Sequence, residues 1–302
     1  MEIDVVVPSI RPAGLQWVLD SLGRNRRRPD LVTIVTNELD RDLECHGLDV
    51  RVLSFSSDRY PVGCCDLALR RNLGFWFSPC THVMLFDDDH VAPVGLVEST
   101  LQRLAERPFC WGHYRFLPFE GRSLDEILRL PPEAGRPREL PPNAWHGYQS
   151  CFGGLFAARR DVVIELGGFD LLFLGRCANE DQSFGRRLAL RHDGVERAFV
   201  HEPPFAWHPE ARLPYSLPAY TNLCSADHDL QEAEAGGVAI LRCRRCPYHR
   251  HNDSESTLFG DGVVMPFDPD EVEVRTLSLA RVGGGSLHQA SLPLRGGGRS
   301  SG

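Results

Sequence analysis

"THVMLFDDDH", residues 81–90, sets a short apolar run directly against three consecutive carboxylates. The run "HVMLF" (82–86) is continuous and compact, which predicts a strand buried on both faces of a parallel sheet. A buried strand interior does not tolerate acid, because an unpaired charge there loses its hydration without replacement. Asp87, Asp88 and Asp89 must therefore lie past the strand's end, in a solvated loop or against something positive.

The flanking sequence repeats the theme. "IDVVVPS" (3–9), "LVTIVTN" (31–37) and "DVRVLSF" (49–55) read as three further strands. "AGLQWVLDSL" (13–22) and "CCDLALRRNLGFWF" (64–77) carry apolar residues at helical spacing between them. Strands alternating with helices predict an α/β fold with a mostly parallel sheet. Ligands of such sheets bind beyond the carboxyl ends of the strands, near the topological switch point. The triple aspartate occupies one of those ends.

Past residue 90 the pattern changes. Pro93 opens a helix to about Arg103, and "RPFCWGHYRF" (107–116) predicts one strand. The proline-rich stretch 118–147 reads as an insertion or acceptor-side loop. Residues 150–170 predict a strand, a glycine-rich bend, a short helix and a turn. "EDQSFGRRLAL" (180–190) predicts a helix with an acidic first turn, as the helix dipole favours. The expected organisation is one unit over 1–225, in two halves of about 1–90 and about 91–225. A weakly patterned C-terminal extension (226–282) and a disordered glycine-rich tail (283–302) follow.

Composition narrows the function classes. The formal net charge of −8 argues against a general nucleic-acid binder. All 33 basic residues are arginine. The ten cysteines are scattered, several within apolar stretches, which suits reduced, buried thiols better than a disulfide framework. No stretch reaches the roughly 18 apolar residues of a membrane span, and "MEIDVVVPS" lacks the regions of a signal peptide. A cytoplasmic protein is expected.

If the acidic segment is extended, Asp87 and Asp89 share one side of it. Two hard oxygen donors at that spacing suit Mg²⁺ or Mn²⁺, which also accept diphosphate oxygens as ligands. A second cluster, "GGLFAARRDVVIELGGFDLLFLGRCANEDQSFGRRL" (153–188), holds two double glycines, "GGFD", and "NED" opening a helix. Gly153, Gly154, Gly167 and Gly168 read as backbone devices for turns and close approach.

Together with "RRNLGFWF" before the strand ending in "DDD", this cluster resembles the GT-A glycosyltransferases, family-2-type enzymes above all. "GGFD" followed by "ED" is also similar to the carboxyl-terminal module of galactosyl- and N-acetylgalactosaminyltransferases. The resemblance covers about residues 3 to 210. It implies a Rossmann-like GT-A fold and a nucleotide-sugar donor, UDP-linked above others, with a glycan or small-molecule hydroxyl as acceptor. It further implies that Asp87 contacts the nucleotide ribose, with Asp88 beside it in the donor site. Asp89 would bind the bridging metal, with His208 of "AWHPE" as the late metal ligand. Asp181 would be general base of an inverting transfer, and Glu180 would hold the acceptor. Ser9 and Arg11 would grip the nucleotide, and Asn37 or Glu38 would meet the base. Arg70 or Arg71 would add phosphate contacts, the alternative for both being a solvated helix face.

"CRRCPYHRH" lies outside the resemblance and offers Cys243, Cys246, His249 and His251, a set of soft ligands that could hold a structural zinc. The alternative is a solvated polar loop. Two other functions share the α/β plan. A nucleotidyltransferase that makes the nucleotide-sugar would have a glycine- and arginine-rich loop after its first strand, where this chain has "PSIRPAG". A non-catalytic nucleotide-sugar binder would have no need of the acids and His208 together.

Overall fold

The computed structural model describes residues 1–10, 12–37, 39, 42–55, 67–137, 154–169, 181, 184, 185, 188, 205–209, 230–235, 238–243 and 272–277. The chain begins with strand β1 (Ile3–Pro8), helix α1 (Leu15–Gly23), strands β2 (Leu31–Val35) and β3 (Val50–Phe55), helix α2 (Leu67–Phe77) and strand β4 (His82–Phe86). Helix α3 (Leu96–Glu106), strands β5 (Phe109–Trp111) and β6 (His113–Leu117), and helix α4 (Leu124–Leu128) follow. Next come strands β7 (Arg136–Pro137) and β8 (Leu155–Arg159) with helix α5 (Arg160–Glu165). Strands β9 (Phe205–Pro209), β10 (Leu230–Ala235), β11 (Val238–Cys243) and β12 (Val272–Leu277) complete the elements.

Seven strands build one sheet in the order β12-β3-β2-β1-β4-β8-β5. β1 through β4 are mutually parallel, as their uninterrupted β-branched and apolar runs require. β8 and β12 run antiparallel to their neighbours. Every residue of β1 and β4 is buried. Helix α2 packs on β1 and β2, and α3 on β5 and β8. The α/β class read from the sequence is the class observed: a mixed, mostly parallel sheet flanked by helices.

Three details differ from expectation. The single strand expected over 107–116 is two, because at Gly112 the chain leaves the main sheet. Trp111 stays paired with Phe156 of β8, while β6 crosses to a small sheet with β7 and β9. The stretch 118–147, expected as loop, holds α4, which a Ser123–Glu126 capping box starts. Leu124 and Ile127 of that helix close a small second core with Val91 and Leu117. Third, the expected C-terminal extension returns β12 to the main sheet, pairing Val272 through Leu277 with Phe55 through Val50.

Cys45, Cys80 and Cys110 are free thiols, and burial pushes Cys80 up to about 11 and Cys110 up to about 12. The expected buried thiols are Cys80 and Cys110, while Cys45 is half-buried. Among the described residues no helix is long and apolar enough to cross a membrane. The tail at 283–302 lies outside the described residues.

Candidate functional site

The sheet order places β2 and β3 on one side of β1 and β4 on the other. The connections therefore diverge at the carboxyl ends of β1 and β4, which opens the crevice that parallel sheets use for ligands. Ser9 and Ile10 emerge from one of these strands, and the triple aspartate from the other.

The acids do not continue the strand. The His90 amide donates to the Asp87 carbonyl at 3.3 Å, closing a turn over Asp87–His90. That turn gathers what an extended chain would spread. Ligand atoms of Asp87, Asp89 and His90 all lie within 4.8 Å of one another. His90 Nδ1 is 2.9 Å from Asp89 Oδ1, and both side chains are fully buried. The His90 ring meets Phe86 edge-on at 5.7 Å and tilts over Tyr114 at 4.7 Å. Two carboxylates and an imidazole form a mixed oxygen and nitrogen set that fits a divalent cation such as Mn²⁺.

Asp87 is half-buried. Its amide donates to the Gly154 carbonyl at 3.1 Å, and its carboxylate lies against the Gly154 Cα. The Arg71 guanidinium stands 4.0 Å from Asp87 Oδ1. Asp88, by contrast, faces the other strand end. It is fully buried, and its Oδ2 accepts from the Ser9 hydroxyl at 3.1 Å and the Ile10 amide at 2.8 Å. Both of these bonds go to the turn that follows β1.

Arg70 and Arg71 are 1% and 4% exposed, so the solvated helix face that competed with a functional reading is not what α2 presents here. Arg70 donates to the Ser9 carbonyl and to Thr36 Oγ1 at 3.4 Å, and its guanidinium sits 5.6 Å over the Phe55 ring. It thereby ties together the carboxyl ends of β1, β2 and β3. Arg71 lies 5.0 Å over the Phe169 ring. Asn37 is exposed, and its Oδ1 accepts from the Phe55 amide at 2.9 Å, binding the end of β2 to that of β3.

Asp181 is half-buried in a helical segment with Phe184, Gly185 and Leu188. Phe184, one turn later, stacks on Phe169 at 4.5 Å and meets Phe156 of β8 edge-on at 5.2 Å. Since Leu155 pairs with Phe86, this anchors the Asp181 segment beside the end of β4 from which the acids project. His208 lies on β9 opposite Phe116, two positions along from Ala206, which pairs with Tyr114. Arg11, Glu38 and Glu180 lie outside the described residues. So do Cys246, His249 and His251, while Cys243 ends β11.

The sequence reading missed His90 and Tyr114. His90 directly follows the acids, and only the assumption of an extended segment hid it. Tyr114 carries no local signal, because a fold-level crossing of β6 brings it to the cluster.

No family model matches the sequence, and no curated protein matches it. Among solved structures, TarS of S. aureus is similar to this chain with 14% identity and a TM-score of 0.48, covering 69% of this chain and 37% of TarS. A TarS fragment in complex with UDP is similar at 13% identity and a TM-score of 0.49, covering 69% of this chain and 60% of the fragment. Mannosyltransferase PcManGT from Pyrobaculum calidifontis, in complex with GDP-Man and Mn²⁺, is similar at 17% identity and a TM-score of 0.42, covering 74% and 59%. The match thus spans less than two thirds of the length of each of these proteins.

Proposed function

We propose that the chain is a metal-dependent glycosyltransferase of GT-A type, moving a sugar from a nucleotide-sugar, UDP-linked above others, to a hydroxyl acceptor. The observation that carries this is the convergence of Asp87, Asp89 and His90 at the switch point, beside the Ser9–Ile10 turn. In this reading Asp87 and Asp89 hold Mn²⁺ or Mg²⁺ with His90, and His208 is the further donor. A bound cation there supplies charge stabilisation for the leaving nucleoside diphosphate. The imidazole favours Mn²⁺ over Mg²⁺, whose ligands are almost all oxygen.

The protein's own groups do the rest. In this reading Arg11, Asn37 and Glu38 serve the nucleotide end, Ser9 shapes the turn beside it, and the buried Arg71 adds positive charge beside Asp87. Asp181 accepts the acceptor hydroxyl's proton as the new carbon–oxygen bond forms, with inversion, and Glu180 orients the acceptor. The bond from the sugar carbon to the diphosphate breaks, and its electron pair leaves on phosphate oxygen. A carboxylate within hydrogen-bond reach is needed because an unassisted sugar hydroxyl is a poor nucleophile.

A panel of UDP- and GDP-sugars with Mn²⁺, followed by thermal denaturation and by slow hydrolysis, tests the reading. A true donor at 100 times its dissociation constant stabilises the fold by about 2.7 kcal/mol. EDTA or Asp89→Ala removes both effects. Asp181→Asn lowers transfer by on the order of 10² to 10⁴ and moves the donor's dissociation constant by less than about threefold. A wild-type protein indifferent to every donor, or fully active in excess chelator, refutes the proposal.

A further inference from the structure

Asp88 and Arg70 both bond to the Ser9–Ile10 turn, and both are buried where charge is costly. Ser9, Asp88 and Arg70 are at most 1% exposed. Asp88 reaches the turn from the end of β4 and Arg70 from α2. Ser9 is gripped at all of its polar groups. Its amide donates to the Val35 carbonyl at 3.0 Å, its hydroxyl to Asp88 Oδ2, and its carbonyl accepts from Arg70 Nη1. The next amide, that of Ile10, also donates to Asp88 Oδ2 at 2.8 Å.

We propose that Asp88 and Arg70 are positioning residues, a two-sided clamp that sets where the nucleotide-gripping turn stands relative to the metal-holding Asp87 and Asp89. The inference rests on the function proposed above. Hydrogen bonds to an ionised partner are shorter and stronger than neutral ones, so each arm fixes the turn closely. Burying either charge is worthwhile only where the geometry is good, and what such geometry secures is one arrangement of the parts it joins. Here the parts are the two strand ends that would carry opposite ends of one donor. The middle aspartate shares a four-residue turn with the two outer ones, so a shift of Ser9 is felt at the metal set. Misplacement of reacting groups by an ångström is enough to cost rate.

The experiment compares Mn²⁺ binding alone, followed by electron paramagnetic resonance, with UDP binding in saturating Mn²⁺, followed by calorimetry. Asp88→Ala is expected to weaken UDP about tenfold or more while Mn²⁺ alone moves less than about threefold. Asp88→Asn, whose amide oxygen can still accept from Ile10, should restore UDP binding to within about threefold of the parent. Arg70→Met, which keeps the apolar stem, should reproduce the Asp88→Ala pattern. Deuterium uptake across residues 6–14 should quicken about tenfold in Asp88→Ala, with 31–35 unchanged, whether or not any nucleotide binds. If Asp88→Ala does not fold, Ser9→Ala severs the same hydroxyl contact and should give the pattern at about threefold amplitude. Loss of Mn²⁺ binding without nucleotide would make Asp88 a ligand and overturn the clamp. Parent-like UDP binding in both Asp88→Ala and Ser9→Ala would overturn it too, as would unchanged uptake across 6–14. Failure of the wild type to bind UDP or GDP refutes the proposed function, and the uptake measurement then decides the clamp by itself.

Discussion

Gly154 touches more of the proposed chemistry than its size suggests. Its carbonyl accepts from the Asp87 amide, and a Cβ built on it would collide with the Asp87 carboxylate and the Tyr114 hydroxyl. Either the carboxylate or β6 must yield to any side chain there. Overpacking of this kind costs about 1–3 kcal/mol when the surroundings can shift. Gly154→Ala should therefore weaken Mn²⁺ binding about tenfold or more, since Asp87 is the softer neighbour. Titration of the variant with Mn²⁺ checks this, and parent-like affinity would show that Asp87 is not a ligand. Much of this neighbourhood was legible in the sequence. Acid directly after a buried strand has to leave the sheet, and the double glycine had to permit a close approach. His90 escaped because a residue-by-residue parity argument presumes extended backbone, which the Asp87–His90 turn is not. Arg70 and Arg71 were ambiguous because periodicity alone cannot tell a solvated cation from one drawn inside by carbonyls and aromatic rings.

Helix α2 and the turn after α5 were two motifs in the sequence, and the structure fastens them together through one side chain. Asn72 Nδ2 donates to the Phe169 carbonyl at 2.8 Å, and its Oδ1 accepts from the Phe169 amide at 2.6 Å. Gly168 makes the approach possible: its φ of +70° lies in the left-handed region, and a Cβ there would strike Asn72. Phe169, so held, stacks between Phe75 of α2 and Phe184 of the Asp181 segment. Removing the amide would leave a buried donor and acceptor unmatched, at a cost on the order of 3 kcal/mol. Asn72→Ala should lower the urea midpoint correspondingly, and it should slow transfer more than it weakens donor binding, because the Asp181 segment loses its support. An unchanged midpoint would mean that water replaces both bonds. Helix and turn were each readable from local spacing. Their joining was not, since the amide and its partner are 97 residues apart.

The molecule's plan follows from its strand order, and one strand of that order comes from where the sequence shows least. Val272, Val274 and Leu277 of β12 pack on the main core, and Val272 is only 7% exposed. The segment "VEVRTL" (272–277) is short and half polar, the composition of an edge strand with one buried face, and so it reads as unpatterned beside the continuous runs of β1 and β4. Its partner β3 would otherwise present an open edge. Two truncations separate the strand from the tail beyond it. Ending the chain after Val282 keeps β12 and removes residues 283–302, which by composition should add nothing to the fold's stability. The melting temperature and the transfer rate should then stay at parent values. Ending it after Asp270 removes β12 with its ladder and returns Val272 to water, and burial of one such side chain is worth about 1.5–3 kcal/mol. At about 2–4 °C per kcal/mol, the figure for domains of about 150–250 residues, the melting temperature should fall by about 3–12 °C. Exposure of the β3 edge should also make this variant self-associate, visible as a concentration-dependent increase in light scattering. If instead both truncations melt together at the parent temperature, β12 contributes nothing to the sheet's stability. If both fall together, residues beyond Val282 dock on the fold, and the tail is part of it.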